Sequence, residues 1–222
     1  MPALDANRIL LLHPLGYRAE AAASDISRVA NLMPPIGLLS LAAYLDKRGL
    51  GVQIIDCFAQ PGPDARIRDV LASTRPALVG FSCTTSSFLD ACRLAEMAKQ
   101  VLPEVNVVFG GPHVSALKTK VLADFPIIDY TVIGEGEETL SELMESRGEN
   151  PARIQGLAYR SPEGEIRFNG YRDRTLDLDT LPFPAYDKLE GYPAVYKLPI
   201  FNYPAAPNTS CVSSRGCPYA CT

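Results

Sequence analysis

Short apolar runs alternate along the chain with amphipathic stretches. Ile9, Leu10, Leu11 and Leu12 follow Arg8 without a polar break, the pattern of a strand buried on both faces. Residues 13–33 show little periodicity, and a connection of about twenty residues is usually functional or disordered. Pro34 and Pro35 then open a predicted helix whose apolar face is Ile36, Leu39, Ala42, Ala43 and Leu45. Lys47 and Arg48 suit the negative end of that helix, and Gly49 stops it. The alternation repeats, with strands expected over residues 52–55, 77–81, 105–109 and 129–133. Helices are expected over 64–73, from Ser87 to Pro103, over 115–125 and over 137–146. Ser87 and Asp90 have the spacing of a capping box, and Glu137 and Glu138 sit where a positive helix end favours them.

Five strands alternating with five helices predict a doubly wound α/β fold, a five-stranded parallel sheet of the flavodoxin-like or Rossmann-like kind. Five strands favour the order 2-1-3-4-5. After Asn150 the pattern changes. Residues 154–160 and 165–168 flank Ser161, Pro162, Glu163 and Gly164 as a β-hairpin would. A linker follows, rich in proline with aromatics between, and Ser210 to Ser213 begins a further predicted strand. The expected divisions are residues 1–150 as a ligand-binding domain, 151–209 as hairpin and linker, and 210–222 as the start of another domain.

Net charge is −4 with a pI near 5.3, and no basic run stands out, which argues against nucleic acid as a partner. No apolar run reaches membrane-spanning length and the N-terminus has no signal-peptide pattern, so no membrane partner and a cytoplasmic location are expected.

In an open parallel sheet, ligands bind beyond the carboxyl ends of the strands. Gly110 and Gly111 follow an apolar strand there, and a glycine lets backbone approach a ligand closely. A 2-1-3-4-5 order opens the crevice between the first and third strands, walled by the long first loop and residues 82–86. Ser82 and Thr84 are candidates for polar contact, whereas Ser86 and Ser87 read as helix caps. A dinucleotide would need a glycine fingerprint after the first strand, and His13, Pro14, Leu15 and Gly16 are not that. Gly134 to Thr139 has two glycines at the right spacing, but its three glutamates repel phosphate.

Cys57, Cys83 and Cys92 lie in or beside apolar elements and read as buried small hydrophobes. Cys211, Cys217 and Cys221 crowd the end, a cluster that points to metal or catalysis in a cytoplasmic chain. The string Arg215, Gly216, Cys217, Pro218, Tyr219, Ala220, Cys221, Thr222 resembles the start of the CxxxCxxC motif of radical S-adenosylmethionine enzymes. Cys217 and Cys221 match its first two positions, and the third falls at position 224. The chain is thus expected to be the N-terminal piece of a longer enzyme. The five βα units, the Gly110 to His113 string, the Gly134 to Glu137 turn and the Leu181 to Pro184 linker resemble the cobalamin-binding members of that family.

That resemblance implies a cobalamin domain before a radical barrel, with a 4Fe-4S cluster on three cysteines and S-adenosylmethionine on the open iron. It implies base-off cobalamin with the nucleotide tail in the crevice. Ser82 and Thr84 would line the tail, Gly110, Gly111, Pro112 and His113 would meet it after the fourth strand, and Gly134 and Gly136 would close the far side. His13 falls in an HxxG string that lacks the aspartate of the cobalt-ligating DxHxxG motif, and reads as a strand-end histidine near the cofactor rather than the lower ligand. The implied chemistry is methyl transfer to an unactivated carbon, or a cyclisation, on a small-molecule substrate with an electron donor. A stand-alone cobalamin carrier or sensor, and a flavin- or nicotinamide-binding oxidoreductase domain, are the alternatives.

Overall fold

The computed structural model describes residues 3–16, 32–60, 62–173, 177–196 and 209–216. Five parallel strands form its centre: β1 Asp5–His13, β2 Gly51–Asp56, β3 Pro76–Ser82, β4 Asn106–Gly110 and β5 Tyr130–Val132. Their order, β2-β1-β3-β4-β5, is the expected one. The sheet does not stop there. Two short strands, β6 Leu157–Arg160 and β7 Ile166–Phe168, continue it as antiparallel neighbours, so one mixed sheet holds seven strands. The hairpin expected beyond residue 150 is present, and Tyr130, Thr131 and Val132 pair with Tyr159, Ala158 and Leu157. A short β5 with an unpaired edge would leave backbone groups unsatisfied, and β6 supplies their partners.

Helices cover both faces. α1 Ile36–Asp46 and α6 Glu137–Glu145 lie on one face. α2 Pro63–Thr74, α3 Phe88–Val101, α4 Pro112–Leu117 and α5 Thr119–Asp124 lie on the other. Alternation along the strands assigns each side chain to a face. In β3, Val79 and Phe81 face α3, whereas Leu78 faces α1. Phe109 anchors the α3 face and is fully buried between Phe81 and Phe88, at ring-centroid distances of 4.8 and 5.7 Å. Each such pair adds about 0.5–1.5 kcal/mol beyond its buried area.

Three local expectations are corrected. The helix expected over 115–125 is two short helices, broken where Lys118 takes φ 53° and ψ −124°. The capping box at Ser87 and Asp90 does not form. Ser87 Oγ instead accepts from Thr84 N at 3.0 Å, and Asp90 Oδ2 accepts from Leu15 N at 3.0 Å, tying α3 to the start of the first loop. Residues 210–213 form no strand and are not part of the sheet, since the chain there runs along the cavity mouth.

Residues 177–196 of the proline-rich stretch pack on the domain. Ala185, Leu189 and Tyr196 are buried in the α1-face core, and Ala185 N donates to Leu39 O at 3.1 Å. Lys188 reaches Asp46 at 2.8 Å. α1 is therefore covered by the sheet on one side and by the linker on the other, which suits a helix apolar nearly all round.

Candidate functional site: a cavity beneath two helices

A cavity of about 290 Å³ opens on the α1 face at the carboxyl ends of the central strands. Its floor is made by alternate residues of neighbouring strands: Leu11 of β1, Gly80 and Ser82 of β3, Val108 and Gly110 of β4, and Val132 of β5. Three of these six have no side chain or a small one, so the helices cannot close onto the sheet there. α1 forms the roof through Ile36, Gly37, Ser40 and Leu41, a set with helical spacing, and α6 adds Glu137 and Leu140. The lining is mostly apolar, with the Ser40 and Ser82 hydroxyls and the carboxylates of Glu135 and Glu137 among its polar groups. The crevice was expected between β1 and β3 with the first loop as a wall. The cavity instead spans β1 to β5 on one face, and residues 17–31 of that loop lie outside the described residues.

Of the residues singled out in the sequence, Ser82, Gly110, Gly111, Gly134 and Gly136 line this cavity. Thr84, Pro112, His113 and His13 do not line it and stand at the same edge of the sheet. Thr84 Oγ1 lies 3.0 Å from Ser86 Oγ and 3.1 Å from Ser87 Oγ, in a hydroxyl cluster at the tip of β3. His113 Nδ1 lies 3.1 Å from Thr85 Oγ1, with its ring against Phe88. Cys217 and Cys221 lie outside the described residues. Cys211 is exposed, and no group of three metal-binding side chains occurs among the described residues.

The double glycine divides its work. Gly110 faces the cavity, and a Cβ there would make only ordinary contact, 3.7 Å from Val132 O. Gly111 has φ 96°, and its Cβ would fall 2.8 Å from Cys83 O and 2.9 Å from Cys83 N. The loops after β3 and β4 cross there, joined by Cys83 N to Gly110 O at 2.9 Å and His113 N to Cys83 O at 3.3 Å. Gly111 therefore serves close packing of two backbones as well as lining the cavity.

Sequence reasoning missed Asp56. Its side chain is 1% exposed and accepts from His13 Nδ1 at 2.9 Å, Phe58 N at 3.0 Å and Tyr196 OH at 3.1 Å. Burial, and the neighbouring Asp56, push the Tyr196 phenol well above the usual tyrosine range. His13 thus has an orienting carboxylate after all, supplied by β2. Its Nε2 has no partner among the described residues. A signal existed, since His13 and Asp56 each follow the apolar run of a neighbouring parallel strand and are register partners.

A family model described as "B12 binding domain" matches residues 25–144, more than half of the 222-residue chain. The chain belongs to the B12-binding domain family. Gly80, Ser82 and Gly110 of the cavity floor, and the α1 and α6 residues that roof it, fall within that match. Among curated relatives, an uncharacterised methyltransferase of Pyrococcus horikoshii is 35% identical over 203 residues, covering 89% of this chain and 42% of the relative. The anaerobic magnesium-protoporphyrin IX monomethyl ester cyclase of Rubrivivax gelatinosus is 29% identical over 221 residues, covering 97% of this chain and 38% of the relative. The chain thus spans about two fifths of the length of these relatives. Among solved structures, the radical S-adenosylmethionine methyltransferase TsrM of Kitasatospora setae, with cobalamin and a [4Fe-4S] cluster bound, superposes with a TM-score of 0.61 at 21% identity. That likeness covers 80% of this chain and 31% of TsrM, and it is a likeness of fold. No helix among the described residues is long and apolar enough to cross a membrane.

Proposed function

We propose that the cavity beneath α1 and α6 receives the nucleotide tail of cobalamin, bound base-off, and that the chain is the cobalamin-binding part of a radical S-adenosylmethionine enzyme. The observation that carries the reading is the stripe of Gly80, Ser82 and Gly110, which opens an apolar slot at the carboxyl edge of a B12-family sheet. The residues fit the group. A flat aromatic base suits the walls of Leu11, Leu41, Val108 and Val132, and the Ser40 and Ser82 hydroxyls can satisfy its polar edge. Gly134 and Gly136 close the far side, and Thr84, Pro112, His113 and His13 form the rim around the rest of the cofactor. α1 and α6 exclude water from the tail.

In the whole protein, Cys217 and Cys221 would supply two ligands of a 4Fe-4S cluster that binds S-adenosylmethionine. Cobalamin and the cluster would supply methyl transfer to an unactivated carbon of a small-molecule substrate, or a cyclisation, with an electron donor driving reductive cleavage. The proposed divisions are residues 1–150 for cobalamin, 151–209 for hairpin and linker, and 210–222 for the start of the radical domain. The location we propose is the cytoplasm, in line with the absence of a signal-peptide pattern in the sequence.

The test is a titration with hydroxocobalamin, followed by gel filtration and visible absorbance. The expected result is retained cobalamin with a base-off spectrum, and loss of retention in Gly110→Val, which fills the slot. A folded Gly110→Val protein that retains cobalamin as the unmodified chain does would place the tail elsewhere.

A further inference from the structure

Residues 209–216 return to the domain and form part of the cavity wall. Tyr186 OH donates to Ser210 O, and Arg215 Nη2 donates to Glu137 Oε1 at 2.6 Å. Val212 and Arg215 line the cavity beside Glu137. Glu137 opens α6 with its side chain 10% exposed, and the Arg215 side chain is 25% exposed. This is not a solvent-screened surface pair, because removing Arg215 would leave a nearly buried carboxylate uncompensated. Val212 is 58% exposed, an apolar side chain held at the mouth of an apolar cavity. Arg215 stands two residues before Cys217 in the sequence.

We propose that Glu137 and Arg215 form a latch through which filling of the cavity and seating of the segment leading to Cys217 favour one another. Arg215 is then a positioning residue for the cysteine loop. The inference rests on the cobalamin reading of the cavity. Its logic is linkage. The segment is a wall of the cavity and leaves its volume open, so a ligand meets Val212 and Arg215 only when the segment is seated. Whatever factor seating adds to ligand affinity, the ligand must return to seating. The two cofactors of the proposed enzyme would be kept in register by one ion pair.

The test uses the whole chain and its Arg215→Met, Arg215→Lys and Glu137→Gln variants, with circular dichroism to show that each is folded. Two quantities are read: the dissociation constant for hydroxocobalamin, and amide hydrogen exchange over residues 209–216 with and without it. In the unmodified chain cobalamin is expected to slow that exchange. Arg215→Met should bind about fivefold more weakly or worse, with exchange that no longer responds to cobalamin. Arg215→Lys, which keeps the charge, should recover part of both effects. Glu137→Gln should resemble Arg215→Met, and the double variant should be no worse than either alone. The latch is overturned if Arg215→Met matches the unmodified chain in both readouts. It is also overturned if affinity falls while exchange still responds to cobalamin, since Arg215 would then be a cofactor contact and nothing more. A folded, unmodified chain that retains no hydroxocobalamin would overturn the cofactor reading itself, an outcome distinct from both.

Discussion

His13 and Asp56 are register partners at the ends of two neighbouring parallel strands, and His13 Nδ1 lies 2.9 Å from Asp56 Oδ1. The same carboxylate holds Phe58 N and the hydroxyl of Tyr196, 140 residues further along the chain. One buried side chain therefore joins a strand end, the turn after β2 and the linker. Asp56→Ala leaves three donors without their acceptor and is expected to cost about 3 kcal/mol or more. Asp56→Asn, which keeps the shape, should cost less, and Tyr196→Phe about 1 kcal/mol. Urea denaturation gives the order directly, and an Asp56→Ala chain within 1 kcal/mol of the original would show that the network contributes little.

His13→Ala tests the remaining nitrogen. His13 does not line the cavity, so the variant should retain hydroxocobalamin with an unchanged base-off spectrum. A shifted visible spectrum would make Nε2 a cobalt ligand oriented by Asp56.

The two adjacent glycines should respond differently. Gly111→Ala forces a left-handed backbone on alanine and drives Cβ into Cys83, and a loss of about 2–3 kcal/mol in chemical denaturation is expected. Gly110→Ala should leave stability within about 0.5 kcal/mol and weaken cobalamin binding. Equal losses of stability at both positions would contradict this division.

Lys118 adopts a positive φ that favours glycine. Lys118→Gly should therefore stabilise the chain by about 1 kcal/mol, a rise of about 2–4 °C in Tm. A fall in Tm would mean that the Lys118 side chain, whose Nζ lies 5.2 Å from the Tyr171 ring centroid, is worth more than its backbone strain.

Thiol labelling should separate the cysteines. Burial pushes the Cys57 and Cys83 thiols far up, and burial together with Glu96 pushes Cys92 up to about 11 from 9.0. At pH 8, iodoacetamide and mass spectrometry should find Cys211 modified, with Cys57, Cys83 and Cys92 protected until the chain is unfolded. A folded pKa above the unfolded one stabilises the protein below the unfolded value. The Cys92 contribution should thus be intact below about pH 9 and decline as pH rises toward 11.

The five parallel strands were legible because each apolar run is bounded by its own stop signals, whereas their order was not written in the residues and came only from the two arrangements common for such sheets. The attachment of the hairpin to β5 was not legible, since pairing Tyr130 with Tyr159 is a tertiary choice that neither segment encodes alone. Lys118 hid the break between α4 and α5 because lysine is an ordinary helix former. Ser87 misled for a different reason. The loop ahead of α3 turns back on itself, so the Ser87 hydroxyl meets Thr84 N before it can reach into the helix.

The cavity was half legible. Ser82, Gly110, Gly111, Gly134 and Gly136 follow the strands and announce themselves as small residues at a ligand edge. The roof was not, because Gly37, Ser40 and Leu41 belong to a helix whose apolar face is filled by core packing in any fold of this class. Asp56 escaped notice as a lone carboxylate whose partners lie far away in sequence. Arg215 stands out in the sequence only by its place two residues before Cys217, and its pairing with Glu137 depends on a return of the chain that the sequence does not encode locally.

Helix α1 is a party wall. Gly37 and Leu41 look into the cavity, while Leu39 O holds Ala185 N and Asp46 holds Lys188. The width of the slot is therefore set from outside as well as inside. Any occupant that lifts α1 must lift the linker with it, so the fit of that occupant is strained or relieved by whatever fixes the far end of the linker.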